Sequence, residues 1–491
     1  MTPGRLRRAL LALLCGHVVI ASGAFVGSVH AHAGSLGGAA PVTVPSWLLA
    51  VTGGGAVVAS FLFTSVVTDR ALVRAPYERG PTVSLDRART VGRRLLSLVG
   101  VLALLAVVVV GFVGPVAAVA NLGVLLVWVG WWAGYSTTVY LVGNTWPALD
   151  PWRTIARHLP SLGYPYPARL GAWPSVVALL ALVWLEVVSP LADAPRLLAS
   201  VVLCYTLVTL AGASVVGRDV WFDRVDPVSR VFRYYGALAP VQRVDGRLAL
   251  RVPGAALTVS GLSGSPTDRP RTAERSVRAD GGRVRARRLV AGPDDVAFVV
   301  ALVWVTTFDG LVSTAAWAGV ARPLVDAGLP PLAVYLGALV VGFLLALGAF
   351  RLAARLARRS ADAFVAPAEL DRRFVLALVP IAAGYHLAHF LGYFLSLSPA
   401  LAATLADPLS PPMALVVLVP PAWFGGLQVG FVVLGHLVGV WVAHVVAFET
   451  FTGRLQPLRS QYPYVALMVL YTTTSIWLLT QPYARPPFLG G

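Results

Sequence analysis

The chain has 491 residues, of which 57% are hydrophobic and 12% charged, with a mean hydropathy of +0.74 and a formal net charge of +17. Soluble domains carry about twice that charged fraction, and the apolar runs exceed the roughly 18 to 20 residues that cross a bilayer as a helix. The composition therefore predicts an all-α polytopic transmembrane bundle, and it excludes a soluble domain and a spanning β-barrel, whose strands would alternate apolar and polar residues.

The basic charge is arginine throughout, and it lies between the apolar runs. That placement reads as membrane topology and contact with anionic lipid, not as a nucleic-acid surface. Cys15 and Cys204 fall in separate apolar segments and imply neither a disulfide framework nor a cysteine metal site.

Residues 1–33 have the form of a secretory signal or first hydrophobic segment: Arg5, Arg7 and Arg8, an apolar run, then small residues around Ala31 and Ala33. Cleavage after Ala31 exposes His32 beside a new amine, a chelate that suits copper outside the membrane. The plainer alternative is a histidine in a short polar leader end.

Ten spans follow, near 46–67, 95–115, 121–142, 171–191, 197–217, 296–320, 331–352, 374–397, 422–448 and 461–480. Arginines concentrate in the loops 69–94, 143–170, 351–373 and 449–460, and the loops near 116–120, 192–196, 321–330 and 398–421 carry only Arg196 and Arg322. This alternation places the basic loops in the cytoplasm of a plasma-membrane protein, with both mature termini external after signal cleavage. The chain divides into a five-span half (34–217), a cytoplasmic arginine-rich loop (218–295) and a second five-span half (296–491). In that loop VWFDRVDPVSRVFRYYGAL, starting at Val220, predicts a helix lying on the inner leaflet. The stretch near 260–293 has the composition of a disordered segment.

Tryptophans in WVGWW (Trp128, Trp131, Trp132) are expected in the headgroup zone. Asp150-Pro151-Trp152 reads as a cap and first turn of a surface helix.

Ionisable groups at membrane depth are costly and mark function. His386 and His389 share nearly one face of the eighth span, His436 lies near the middle of the ninth and Asp309 near the middle of the sixth. Three imidazoles and a carboxylate at one height suit a divalent transition metal such as Zn or Cu, with Asp309 as catalytic base or outer partner. His444 lies eight residues beyond His436, about 12 Å deeper. It cannot share that ion, and it reads with Glu186, at the outer end of the fourth span, as a relay station. Against this stands the ordinary use of a membrane histidine as an interhelical hydrogen bonder. Asp309-Gly310 can likewise mark a broken helix, and Pro380 predicts a kink below His386. Three readings stay open: a metal-dependent hydrolase, a copper- or proton-linked permease, and a structural subunit docking a partner through its arginine-rich loop.

The motif order resembles a family of polytopic membrane proteins labelled fenitrothion hydrolase-like. The stretches carrying the resemblance are HAGSL and VPSWL after the leader, VWVGWW, GNTWPALDPW, WLEVV, the FDG around Asp309, PIAAGYHLAHF, DPLS, GHLVGVWVAH, SQYP and LMVLYTT. They cover nearly the whole chain except the later part of the 218–295 loop. Where the family's turn often carries Asn, this chain has Asp150. The resemblance implies a membrane enzyme attacking organophosphate triesters with help from a metal.

Overall fold

The computed structural model describes residues 45–73, 81–83, 86–244, 247–258, 289–421, 423–482 and 484–489. The leader, His32 and most of the stretch near 260–293 lie outside the described residues. Ten apolar helices follow the predicted spans in order: Ser46–Val66, Asp86–Val113, Leu122–Leu141, Trp173–Val188, Pro195–Val216, Pro293–Val312, Pro331–Ser360, Val379–Ala406, Phe424–Thr450 and Gln456–Leu479. Nine of these are long and apolar enough to cross a membrane, and the protein is a multi-pass membrane protein. The exception is the fourth, with 16 residues. At 1.5 Å per residue it covers about 24 Å, short of a hydrocarbon core of about 30 Å. Glu186 stands two residues from its end.

Leucines such as Leu102, Leu105, Leu344 and Leu345 are exposed on the outside of the bundle, where lipid would cover them. The eighth span is central. Of its most apolar stretch 83% is buried, against 17% for the fifth span. Lipid is as apolar as leucine, so spans associate by close packing and not by hiding apolar surface from water. The eighth and ninth spans do so on glycine. A methyl group on Gly384 would fall 2.6 Å from the carbonyl oxygen of Phe431, and one on Gly435 would fall 2.6 Å from that of Pro380. This backbone contact carries His386 and His436 on adjoining turns.

Two expected spans change shape. The predicted 296–320 helix ends at Val312, and a second helix, Ala315–Asp326, starts after Thr314, whose hydroxyl accepts from the Trp317 amide at 3.2 Å. The helix runs through Gly310 and breaks later, so Asp309 sits in its last turn and not at mid-span. Before Pro380 the chain passes through a 3₁₀ stretch, Val375–Leu378, so the irregularity expected from the missing amide lies just below His386.

The larger departure follows the fifth span. The helix predicted to lie on the leaflet, Pro227–Leu238, is tucked into the bundle. Phe232, Tyr234 and Tyr235 are 0% exposed, and Arg230 is 1% exposed. Its amphipathic pattern suits a lipid surface, but the aromatic face meets protein. Burial of Arg230 is offset at the two terminal nitrogens of its guanidinium: Asp295 accepts at 2.6 Å and the Asp223 carbonyl at 2.8 Å. The inserted helix continues into strands Val241–Val244 and Arg247–Leu250, which pair antiparallel. Thr82–Val83 pairs on the other edge of Arg247–Leu250.

Candidate functional site

The third span is α-helical at both ends and wound as a π-helix over Leu126–Tyr135. A π-helix is rare, and it marks functional positions more often than chance. Here it turns the WVGWW tryptophans inward. Trp131 packs edge-on against Phe232 of the inserted helix at 5.7 Å, and Trp132 packs edge-on against His386 at 5.0 Å. These tryptophans are therefore walls of the interior, not headgroup anchors. The following turn is as expected in its chemistry. Asp150 accepts from the Arg153 amide at 2.9 Å, with Pro151 at the first helical position. It is not a surface element, since Asp150 is 0% exposed and Trp152 is buried.

Between the second to sixth spans and the inserted helix lies a cavity of about 470 Å³. Its walls are almost wholly apolar and aromatic, with Trp128, Trp131, Trp146 and Phe232 prominent. Besides the phenols of Tyr135 and Tyr205, its ionisable lining consists of two carboxylates, Glu186 of the fourth span and Asp309 of the sixth, which lie within electrostatic reach of each other. Behind Asp309, its Oδ2 is 3.5 Å from Nε2 of His389. An apolar pocket of this size with a few convergent polar groups is the usual form of a small-molecule site.

The histidines predicted to share one ion are separated. His389 meets Asp309. The Nδ1 of His386 lies 3.1 Å from the Tyr140 hydroxyl, and its ring contacts Tyr140, Tyr235 and Phe390. His436 donates from Nδ1 to the Val432 carbonyl, one turn back on its own helix, at 2.8 Å. Among the described residues no group of three or more His, Cys, Asp or Glu side chains is arranged to hold a metal ion. The expected His386–His389–His436 ligand set is thereby corrected. Equal height in the membrane is not convergence. Three residues along a helix turn the side chain by roughly 60° net, which sends His386 to the third span and His389 to the sixth.

His444 is also reassigned. Gln461 donates to its Nδ1 at 3.4 Å, so Nε2 carries the hydrogen and donates to the Val67 carbonyl at 3.0 Å. Both nitrogens are occupied in tying the first, ninth and tenth spans together, which leaves none for a relay. Glu186 keeps its predicted place near the end of its span, and the structure adds its neighbour Asp309.

Four tyrosines beyond the residues that the sequence points to belong to this interior: Tyr140, Tyr235, Tyr385 and Tyr471. Tyr385 stacks with His389 at 6.2 Å, and its hydroxyl abuts Gly310, beside Asp309. Tyr471 bonds Thr307 at 2.5 Å and lies 5.8 Å, ring to ring, from His436. A tyrosine within an apolar span was the available signal, since its hydroxyl needs a partner there.

Comparison of the chain with protein-family models, curated proteins and solved structures finds no match.

Proposed function

We propose that the protein is a membrane hydrolase of apolar, lipid-soluble esters, of which phosphotriesters are the class suggested by the motif resemblance. The observation that carries this reading is the placing of Glu186 and Asp309 on an otherwise apolar cavity, with His389 3.5 Å behind Asp309. A lipid-soluble triester partitions into aromatic walls of this kind without a charged binding pocket. Among the described residues no ligand set forms for the metal that the resemblance implies, and the reaction is drawn through acid–base groups alone.

In that reaction Asp309, oriented by His389, takes a proton from water as the water oxygen bonds to phosphorus. The bond from phosphorus to the leaving oxygen breaks, and Glu186 gives that oxygen its proton. Passage of the proton from Asp309 to Glu186 restores both groups. General acid–base catalysis of this type contributes about 10²- to 10⁴-fold.

The test is hydrolysis of a nitrophenyl dialkyl phosphotriester by the purified protein in detergent. Asp309→Asn and Glu186→Gln should each lower kcat by about 100-fold or more. A wild-type protein without activity on phosphotriesters and carboxylic esters, or variants as active as wild type, would overturn the assignment.

A further inference from the structure

The fourth and fifth spans are joined by residues 189–194 alone, yet they do not pack along each other. Consecutive helices on a short connection are usually packed neighbours. Here the fourth lies on the sixth and seventh spans, the fifth lies on the second, and the cavity fills the space between. Both spans also turn a face to lipid, with Val177 of the fourth and Leu203 and Leu207 of the fifth exposed. The cavity is elongated along the helices. It takes in Val99 to Val107 of the second span, about 12 Å, and Leu198 to Tyr205 of the fifth, about 10 Å. A water-sized group occupies about 30 Å³ of liquid. The 470 Å³ of the cavity therefore accepts about 16 groups of that size, methylenes among them.

The two ends of the cavity differ. Glu186 and Asp309 stand two and three residues from the ends of their helices, at the side away from the arginine-rich loops. Toward the arginine-rich side the polar atoms are taken up by protein: the Tyr205 hydroxyl donates to Asp226, and Nε1 of Trp152 donates to the Thr206 hydroxyl at 2.9 Å. The two rings, packed edge-on at 5.0 Å, line the cavity there. Among the described residues that line it there is no arginine, and His389 stands behind Asp309. A fatty-acid anion or a phospholipid phosphate would set a further negative charge against two carboxylates with no arginine to offset it. Uncompensated charge in apolar surroundings is costly, so the site selects a neutral head.

We propose that the substrate is a neutral ester with one long hydrocarbon tail, of about 16 carbons, taken sideways from the bilayer between the fourth and fifth spans. The ester lies at Glu186 and Asp309, and the tail runs along the second and fifth spans toward Trp152 and Tyr205. The ester rests on the hydrolysis reading, whereas the seat for the tail rests on the cavity alone. Hydrolysis leaves an acid whose anion meets both carboxylates, so product is released more readily than substrate.

The experiment uses the full-length protein in phosphatidylcholine liposomes with hexadecyl methyl ether, a neutral probe that cannot be hydrolysed, carrying a photoreactive diazirine at its tail end. After illumination the labelled residues are mapped by mass spectrometry. Label is expected on Trp152, Tyr205 or Val228, and excess unlabelled ether should abolish it. Hexadecanoate, at alkaline pH where it is ionised, should compete about tenfold less well than the ether. Val202→Trp, which fills the cavity, should cut this label about tenfold, as should the milder Ala103→Phe, and elution profiles report whether both are folded. Leu344→Trp, on the lipid-facing side of the seventh span, should be labelled as wild type is. Label confined to lipid-exposed residues such as Leu344 and Leu345 overturns the proposal, as does full labelling of the folded cavity variants. Equal competition by hexadecanoate overturns the neutral head. Cavity labelling in a protein that hydrolyses no ester leaves the seat standing and removes the hydrolysis reading, and hydrolysis of small triesters without cavity labelling does the reverse.

Discussion

Asp309 and His389 face each other across the interface of the sixth and eighth spans, with Oδ2 and Nε2 3.5 Å apart. The pair joins two helices that the chain separates by 80 residues, and it sets one carboxylate on the wall of an apolar cavity. If His389 orients Asp309, then His389→Gln should reduce hydrolysis less than Asp309→Asn does, and it should act on kcat more than on KM. Equal loss in the two variants, measured side by side, would instead place His389 in direct contact with substrate.

The Tyr140–His386 bond offers a stability test. Tyr140→Phe removes the hydrogen bond to Nδ1 of the buried His386 ring, whose Nε2 already lacks a partner. Unsatisfied burial of this kind costs about 1–3 kcal/mol. A lower unfolding midpoint in detergent is expected, and an unchanged midpoint would show that the bond is not formed.

The ion pair of Arg230 and Asp295 pins the inserted helix to the start of the sixth span. Both side chains are buried, at 1% and 7% exposure. Arg230→Met leaves the carboxylate with its amide and hydroxyl donors but without its cation, and it should destabilise by about 3 kcal/mol, the low end for a broken buried pair. Arg230→Met with Asp295→Asn should recover part of that loss. A double variant no better than the single one would mean that shape, not charge, holds the helix.

Asp150 gives a pH dependence with a definite sign. It lies in the arginine-rich-side turn, outside the spans, where burial raises its carboxyl from 3.8 to about 7, with the Asp226 carboxylate adding to the shift. Arg153 and the Ser229 hydroxyl oppose it. Asp226 is itself raised by burial, and it accepts from Ser229 and Tyr205. The folded state therefore binds more protons than the unfolded state between about pH 4 and pH 7. The stability contributed by Asp150 is full below about pH 4 and is lost as pH rises through about 7. Asp150→Asn keeps an acceptor for the Arg153 amide. It should match wild type near pH 4 and exceed it at pH 8, as read from unfolding midpoints. A constant difference across that range would contradict the assignment.

Gly384→Ala tests the central crossing. The new methyl would meet the Phe431 carbonyl at 2.6 Å, and this contact is with backbone, which cannot swing aside. Overpacking of this kind costs about 1–3 kcal/mol, and displacement of the eighth span should also lower hydrolysis. Gly426→Ala, with open space around it, is the control and should behave as wild type.

Much of this molecule is legible in one dimension. A bilayer demands helices of a certain length and apolarity, so hydropathy along the chain determines a multi-pass helical bundle and the order of its ten apolar helices, nine of them long enough to cross. Counting residues along each span also fixes height, which is why His444 separates from His436 and why Glu186 falls near the end of its helix. Height says nothing of direction around the helix axis. Packing decides that, and it sends His386 to Tyr140, His389 to Asp309 and His436 back onto its own backbone, where sequence reading expected one ion among them. The helix Pro227–Leu238 shows the same gap. An aromatic and basic face suits a leaflet surface or a protein interior equally well, and only the matching of Arg230 by Asp295, 65 residues away, decides for the interior.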